Sequence, residues 1–160
     1  MVDPLLLPVL SALGGVALAQ GAAMLQSWLE RENKREILLR TKYEELGMHF
    51  LDSMKLPHAL MEAKSTEAVL ALTHQTSANK AQLLALVYFP PLLQAIGLYT
   101  QSYSDLCMAC AALYNPDDRR ELAKQVHDKP DYIQKRNTHI AARDTLQDEI
   151  QRNAKLYVKS

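Results

Sequence analysis

Glycine, cysteine and tryptophan are all scarce in this chain: five, two and one among 160 residues. Runs of alternating β-branched residues, the mark of half-buried strands, are missing altogether. Two cysteines are too few to staple a small secreted scaffold, so the chain reads as a protein of a reducing compartment. There is also no surplus of charge of either sign, because 18 Lys and Arg are balanced by 18 Asp and Glu. A dedicated nucleic-acid binder normally carries a strong basic excess, and nucleic acid is therefore not an expected partner.

The chemistry-bearing motifs are absent too. Gly14-Gly15 lies in an apolar stretch and not in a phosphate-cradling loop. Neither G-x-S-x-G nor H-E-x-x-H occurs. His49, His58, His74, His127 and His139 are scattered, and no second C-x-x-C joins Cys107-Met108-Ala109-Cys110 to complete a zinc site. That cysteine pair falls late in an expected helix, on or beside its apolar stripe, where core packing is the natural role and a lowered thiol pKa is not. Glu44-Glu45 and Asp117-Asp118 are sequence neighbours, which point in different directions on a helix and form no acid–base couple. Asp117-Asp118 reads instead as helix-start charge. No catalytic residue, metal site or cofactor is expected, and the chain reads as non-enzymatic.

What the sequence has in quantity is helix formers, namely Ala, Leu, Gln, Glu, Lys and Arg. The expected fold is all-α: a transmembrane helix at the N-terminus that continues into an antiparallel helical bundle, with an anchor over residues 1–29 and a cytoplasmic bundle over 30–160. From Pro4 to Leu29 no residue is charged. A helix of that length would run about 39 Å at about 1.5 Å per residue, enough to cross a bilayer core. Trp28 sits where an interfacial aromatic would, and Arg31, Lys34 and Arg35 follow it as the basic flank that would hold the C-terminal body in the cytoplasm. Small residues at Ser11, Gly15, Ala19 and Ala23 recur at a spacing of four, a stripe along which two helices approach closely in lipid. The expected partners are thus membrane lipid and a protein, either another copy or a different chain, met through the N-terminal helix in a homo-oligomer or a complex. Two other readings compete. Ala17-Leu18-Ala19 before Gln20 resembles a signal-cleavage site, although no Lys or Arg precedes it. Alternatively, the first helix is buried in a larger assembly of a soluble structural subunit.

Beyond Glu30 the apolar periodicity predicts four substantial helices. Leu39, Tyr43, Leu46, Phe50 and Met54 mark one helix face, ended by Pro57. A second helix is expected from Ser65 or Thr66, with Ala81 to Phe89 as an apolar run that stops at Pro90-Pro91. The third, about Pro91 to Tyr114, carries the clearest stripe: Leu92, Ile96, Tyr99, Tyr103, Leu106, Cys110 and Leu113. Tyr43, Tyr88, Tyr99, Tyr103 and Tyr114 read as core residues more than as ligand platforms. After a turn at Asn115–Asp118 and a short helix to about Val126, the last helix, Asp131 to Val158, shows a thin stripe of Ile133, Ile140, Leu146, Ile150 and Tyr157.

The charged junction Glu30–Arg40, the Lys42-Tyr43-Glu44-Glu45-Leu46 segment and the break at Val87–Pro91, after the apolar run from Leu83, give a resemblance. The chain resembles small, uncharacterised bacterial and phage-associated proteins with an N-terminal single-pass membrane helix and a cytosolic helical bundle. The resemblance implies that architecture and carries no active residues. The function it fits is a membrane-tethered interaction module, such as a small subunit of a membrane complex or a defence or exclusion factor. A membrane-active protein for pore formation, lysis or ejection is the second reading.

Overall fold

In the computed structural model the backbone is described for residues 6–73, 76–118 and 120–158, and side chains for the same residues except 6–19, 21–22, 73 and 76. Seven α-helices and one 3-10 turn occur among the described residues, with no strand: α1 Leu6–Ser53, α2 Leu56–Met61, α3 Thr66–Thr73, α4 Thr76–Tyr88, a 3-10 turn Pro90–Leu92, α5 Leu93–Leu113, α6 Leu122–Val126 and α7 Pro130–Tyr157. The all-α expectation is met. The chain divides into two units, residues 1–39 and 40–160. Packing thus begins ten residues after the point where charge begins, since α1 runs through the first charged residues without a break.

The single-pass membrane placement is not supported and is corrected here. Among the described residues no helix is long and apolar enough to cross a membrane. In the described part of the first unit, Gln20, Gln26 and Ser27 dilute the apolar residues, and the charged run from Glu30 to Glu36 follows directly. About 20 predominantly apolar residues are needed to cross a bilayer core. The cytoplasmic orientation of the body rested on that anchor and is withdrawn with it.

The second unit is built around α5. Every residue of its stripe from Leu92 to Cys110 is buried, as the four-three spacing requires. Full burial of a Leu, Ile or Phe side chain contributes roughly 1.5–3 kcal/mol each. On one side Tyr103, Leu106, Cys107 and Cys110 join Leu56, Leu60, Val69, Leu122 and Val126 in a common core. The C-terminal part of α1 contributes Tyr43, Leu46 and Phe50, all buried. Tyr43 meets Phe89 edge-on and stacks on Tyr157, while Phe50 meets Tyr99 edge-on. The Tyr43 hydroxyl donates to the Ile150 carbonyl, which ties this part of α1 to α7.

Pro57 starts a helix here instead of only ending one. α1 stops at Ser53, before Pro57, and Pro57 lies in the first turn of α2, where its missing N–H costs nothing. Ser65 caps α3 as expected, its Oγ accepting from the Ala68 N–H at 3.1 Å.

The turn after α5 differs from expectation. Helix α6 begins only at Leu122, and the Asp118 carboxylate is drawn to the Arg120 guanidinium at 2.6 Å, not to a helix start. The buried Gln125 holds this loop: its amide donates to the Asp118 and Arg120 carbonyls and accepts from the Asn115 N–H.

Helix α7 buries Leu146 of its expected stripe but otherwise departs from it. Its buried residues are Tyr132, His139, Leu146 and Asn153, a strict seven-residue repeat lying one position away from the Ile133 and Ile140 read from hydropathy. Ile133 is exposed. Two of the four buried positions are polar, which hid the seam. Asn153 satisfies its amide on the Glu149 carbonyl at 2.9 Å, inside its own helix.

Candidate functional site

Two places deserve a chemical reading, one in each unit. The first is the described part of α1 before Arg40. Here Ala23 and every residue from there to Leu38 are exposed. They include Met24 at 77% and Trp28 at 59%, together with Leu25 and Leu29. At 100° per residue these four lie along one side of the helix over successive turns. Arg31, Lys34 and Arg35 are exposed as well, so the residues expected at a membrane interface are all at the surface of the unit. Of the small-residue stripe, only Ala23 is described at side-chain level. Ser11, Gly15 and Ala19 have side chains outside the described residues.

The second place is a cavity of about 320 Å³ within the second unit, lined by Met54, Pro57, His58, Met61, Leu106, Tyr132, Arg136, His139, Ile140 and Arg143. One face of α7 supplies five of these residues at helical spacing, while the turn after α1, together with α2, forms the opposite wall. Leu106 of α5 and Met54, Met61 and Ile140 make the surface apolar. Two arginines and two histidines are among the ten residues, and none is a carboxylate.

His139 is the central group here. It is only 3% exposed, and its ring packs at 5.1 Å from that of Tyr99 and 5.7 Å from that of Tyr103. Its Nδ1 lies 3.2 Å from Ser102 Oγ. The Ser102 hydroxyl has a single proton, and that proton goes to the Tyr99 carbonyl at 2.8 Å. With that proton on the carbonyl, Nδ1 carries the hydrogen and donates to Ser102, the tautomer assigned from this network. Burial drives the imidazole pKa down to about 4, with the Arg143 guanidinium adding to the effect. The ring is neutral at pH 7, with its Nε2 lone pair unprotonated.

A Ser–His contact invites comparison with hydrolytic nucleophiles, but the roles are reversed. Ser102 accepts from His139 and spends its own proton on the backbone, so the imidazole does not activate the hydroxyl. Ser102 positions the ring. A parallel arrangement holds Tyr99, whose hydroxyl lies 2.9 Å from Ser53 Oγ, while Ser53 donates to the Phe50 carbonyl at 2.6 Å.

The remaining candidates fall into the core. Cys107 and Cys110 are free and fully buried. Burial pushes both thiols up, Cys110 to about 12, which leaves little thiolate at neutral pH. Tyr103 donates to the Leu72 carbonyl at 3.2 Å and Tyr132 donates to the Met61 sulfur. Among the described residues no three His, Cys, Asp or Glu side chains gather in a way that could hold a metal ion.

The sequence reading missed His139, Ser102, Arg136 and Arg143. One signal was available: His139 lies seven residues after Tyr132 and seven before Leu146. Set against known proteins, the chain matches no family model, no curated protein and no solved structure. The resemblance drawn from its short apolar motifs thus gains no relative, and the reading of function rests on the molecule's own geometry.

Proposed function

We propose that the protein is a non-enzymatic helical interaction module, acting as a homo-oligomer or as a subunit of a protein assembly through its N-terminal helix. The observation that carries this reading is the exposure of Met24, Leu25, Trp28 and Leu29 along one side of α1. Large apolar residues placed singly on a surface need no explanation, but a contiguous stripe on one helix marks an interaction face. The next residues favour protein as the cover. Between Glu30 and Glu36 three acidic and three basic side chains are interspersed, a charge pattern that an antiparallel second copy could match.

The test uses the full chain. Trp28 is its single tryptophan, so emission reports on this helix alone. Light scattering should show a mass above 18.0 kDa that rises with concentration, with a parallel blue shift of emission as Trp28 leaves water. Leu25→Glu with Leu29→Glu should return the chain to a monomer with unchanged helix content. A wild-type chain that stays monomeric with unshifted emission at 100-micromolar-scale concentration, and after mixing with every protein that co-purifies with it, would overturn the reading.

A further inference from the structure

The cavity at His139 has the makings of a small-molecule site that is independent of the N-terminal helix. We propose that it binds a small organic anion that also carries a hydroxyl group: a hydroxycarboxylate with an apolar body.

Each part of that description comes from the lining. The volume, about 320 Å³, is at the lower end of the range typical of ligand pockets, which runs from about 300 to 1,000 Å³. The walls made by Met54, Met61, Leu106 and Ile140 suit a compact apolar or aromatic body. The charge of the ligand follows from Arg136 and Arg143, which stand seven residues apart on α7, two turns along the same face. Arg143 is paired with its neighbour Asp144 at 2.7 Å at the surface, whereas Arg136 makes no ion pair among the described residues. Guanidinium groups present forked donors that match a carboxylate; Arg136 offers its whole fork, and Arg143 offers the donors that Asp144 does not take.

The hydroxyl follows from His139. Its Nδ1–H is committed to Ser102, and its Nε2 forms no hydrogen bond with any described residue. Yet no buried side-chain nitrogen or oxygen among the described residues lacks a partner. Nε2 is therefore not sealed in the core; it opens to the cavity that His139 lines. A neutral imidazole held this way offers an acceptor lone pair. An anion alone cannot satisfy it, since a carboxylate has no proton to give. A hydroxyl on the ligand can, while its carboxylate meets the arginines.

The experiment is calorimetric titration of the full-length protein at pH 7 with phenylacetate, its 2-, 3- and 4-hydroxy derivatives, and tyramine. At least one hydroxyphenylacetate should bind saturably with a Kd on the order of 1 mM or tighter, as expected for a ligand of about eleven heavy atoms. Phenylacetate should bind roughly three- to tenfold more weakly, the loss of one hydrogen bond. Tyramine, which keeps the ring and hydroxyl but reverses the charge, should show no saturable binding. Arg136 is exposed and Arg143 half-buried on α7, and Arg136→Gln and Arg143→Gln should each weaken the anion at least threefold while leaving helix content unchanged. Met61→Trp should block the cavity without touching its charge. The proposal fails if no hydroxyphenylacetate saturates by 20 mM, if none of the three isomers exceeds phenylacetate, if tyramine binds as well as the anions, or if both arginine variants titrate like the parent.

Discussion

Helix α1 places the same kinds of residue in two different situations. Before Arg40, Leu25, Trp28 and Leu29 face solvent; after it, Tyr43, Leu46 and Phe50 are buried. The helix itself does not change at the boundary, and neither does its supply of large apolar side chains. What changes is the presence of neighbours. Phe89, just after α4, closes over the second stretch together with Tyr99 of α5 and Tyr157 of α7. An apolar helix face is thus a potential for burial, and tertiary context decides whether it is realised within the chain or kept for a partner.

That contrast can be tested at graded strength. The largest effect belongs to the buried stretch: Leu46→Ala removes a side chain with no exposed surface and should cost about 2–5 kcal/mol in denaturant unfolding. Next comes pH. The folded pKa of His139, about 4, lies below the 6.5 of a free imidazole. Above pH 6.5 the ring is neutral in both states and its contribution is fully present. As pH falls from 6.5 towards 4 the unfolded chain takes up a proton that the folded chain refuses, and up to about 3 kcal/mol is lost. Urea midpoints at pH 7 and pH 4.5 measure this, and His139→Gln should flatten the difference; an equal loss in that variant would assign it elsewhere. Ser65→Ala should cost about 1 kcal/mol through the lost cap on α3. The smallest effect should come from the exposed stretch. Leu25→Ala should change monomer stability by less than about 0.5 kcal/mol. A Leu25→Ala cost as large as that of Leu46→Ala would erase the distinction between the two halves.

How much of this was legible in the sequence depended on whether a buried position was also an apolar one. The α5 stripe was read correctly because its spacing and its hydropathy agree at every step from Leu92 to Cys110. The seam of α7 was legible only at Leu146, because His139 and Asn153 occupy core positions and hydropathy assigns polar residues to water. Their burial is made tolerable by specific partners, Ser102 and the Glu149 carbonyl, which no single-helix pattern contains. The loop before α6 escaped notice for the same reason, since Gln125 looks like any surface glutamine until its three backbone contacts are seen. The cavity was invisible because its walls come from segments as far apart as Met54 and Arg143. Reading the uncharged N-terminal segment as a membrane span leaned on the absence of charge more than on apolar strength. That absence equally fits the protein-covered helix proposed above.

The paired thiols on α5 give the molecule a built-in clock. Cys107 and Cys110 have no surface for a reagent to reach in the closed bundle, and the chain has no other cysteine to confuse the signal. A thiol-specific label can therefore attach only when the helices around α5 part. Labelling rate then counts opening events of the bundle directly, while motions confined to the first unit leave no mark on it.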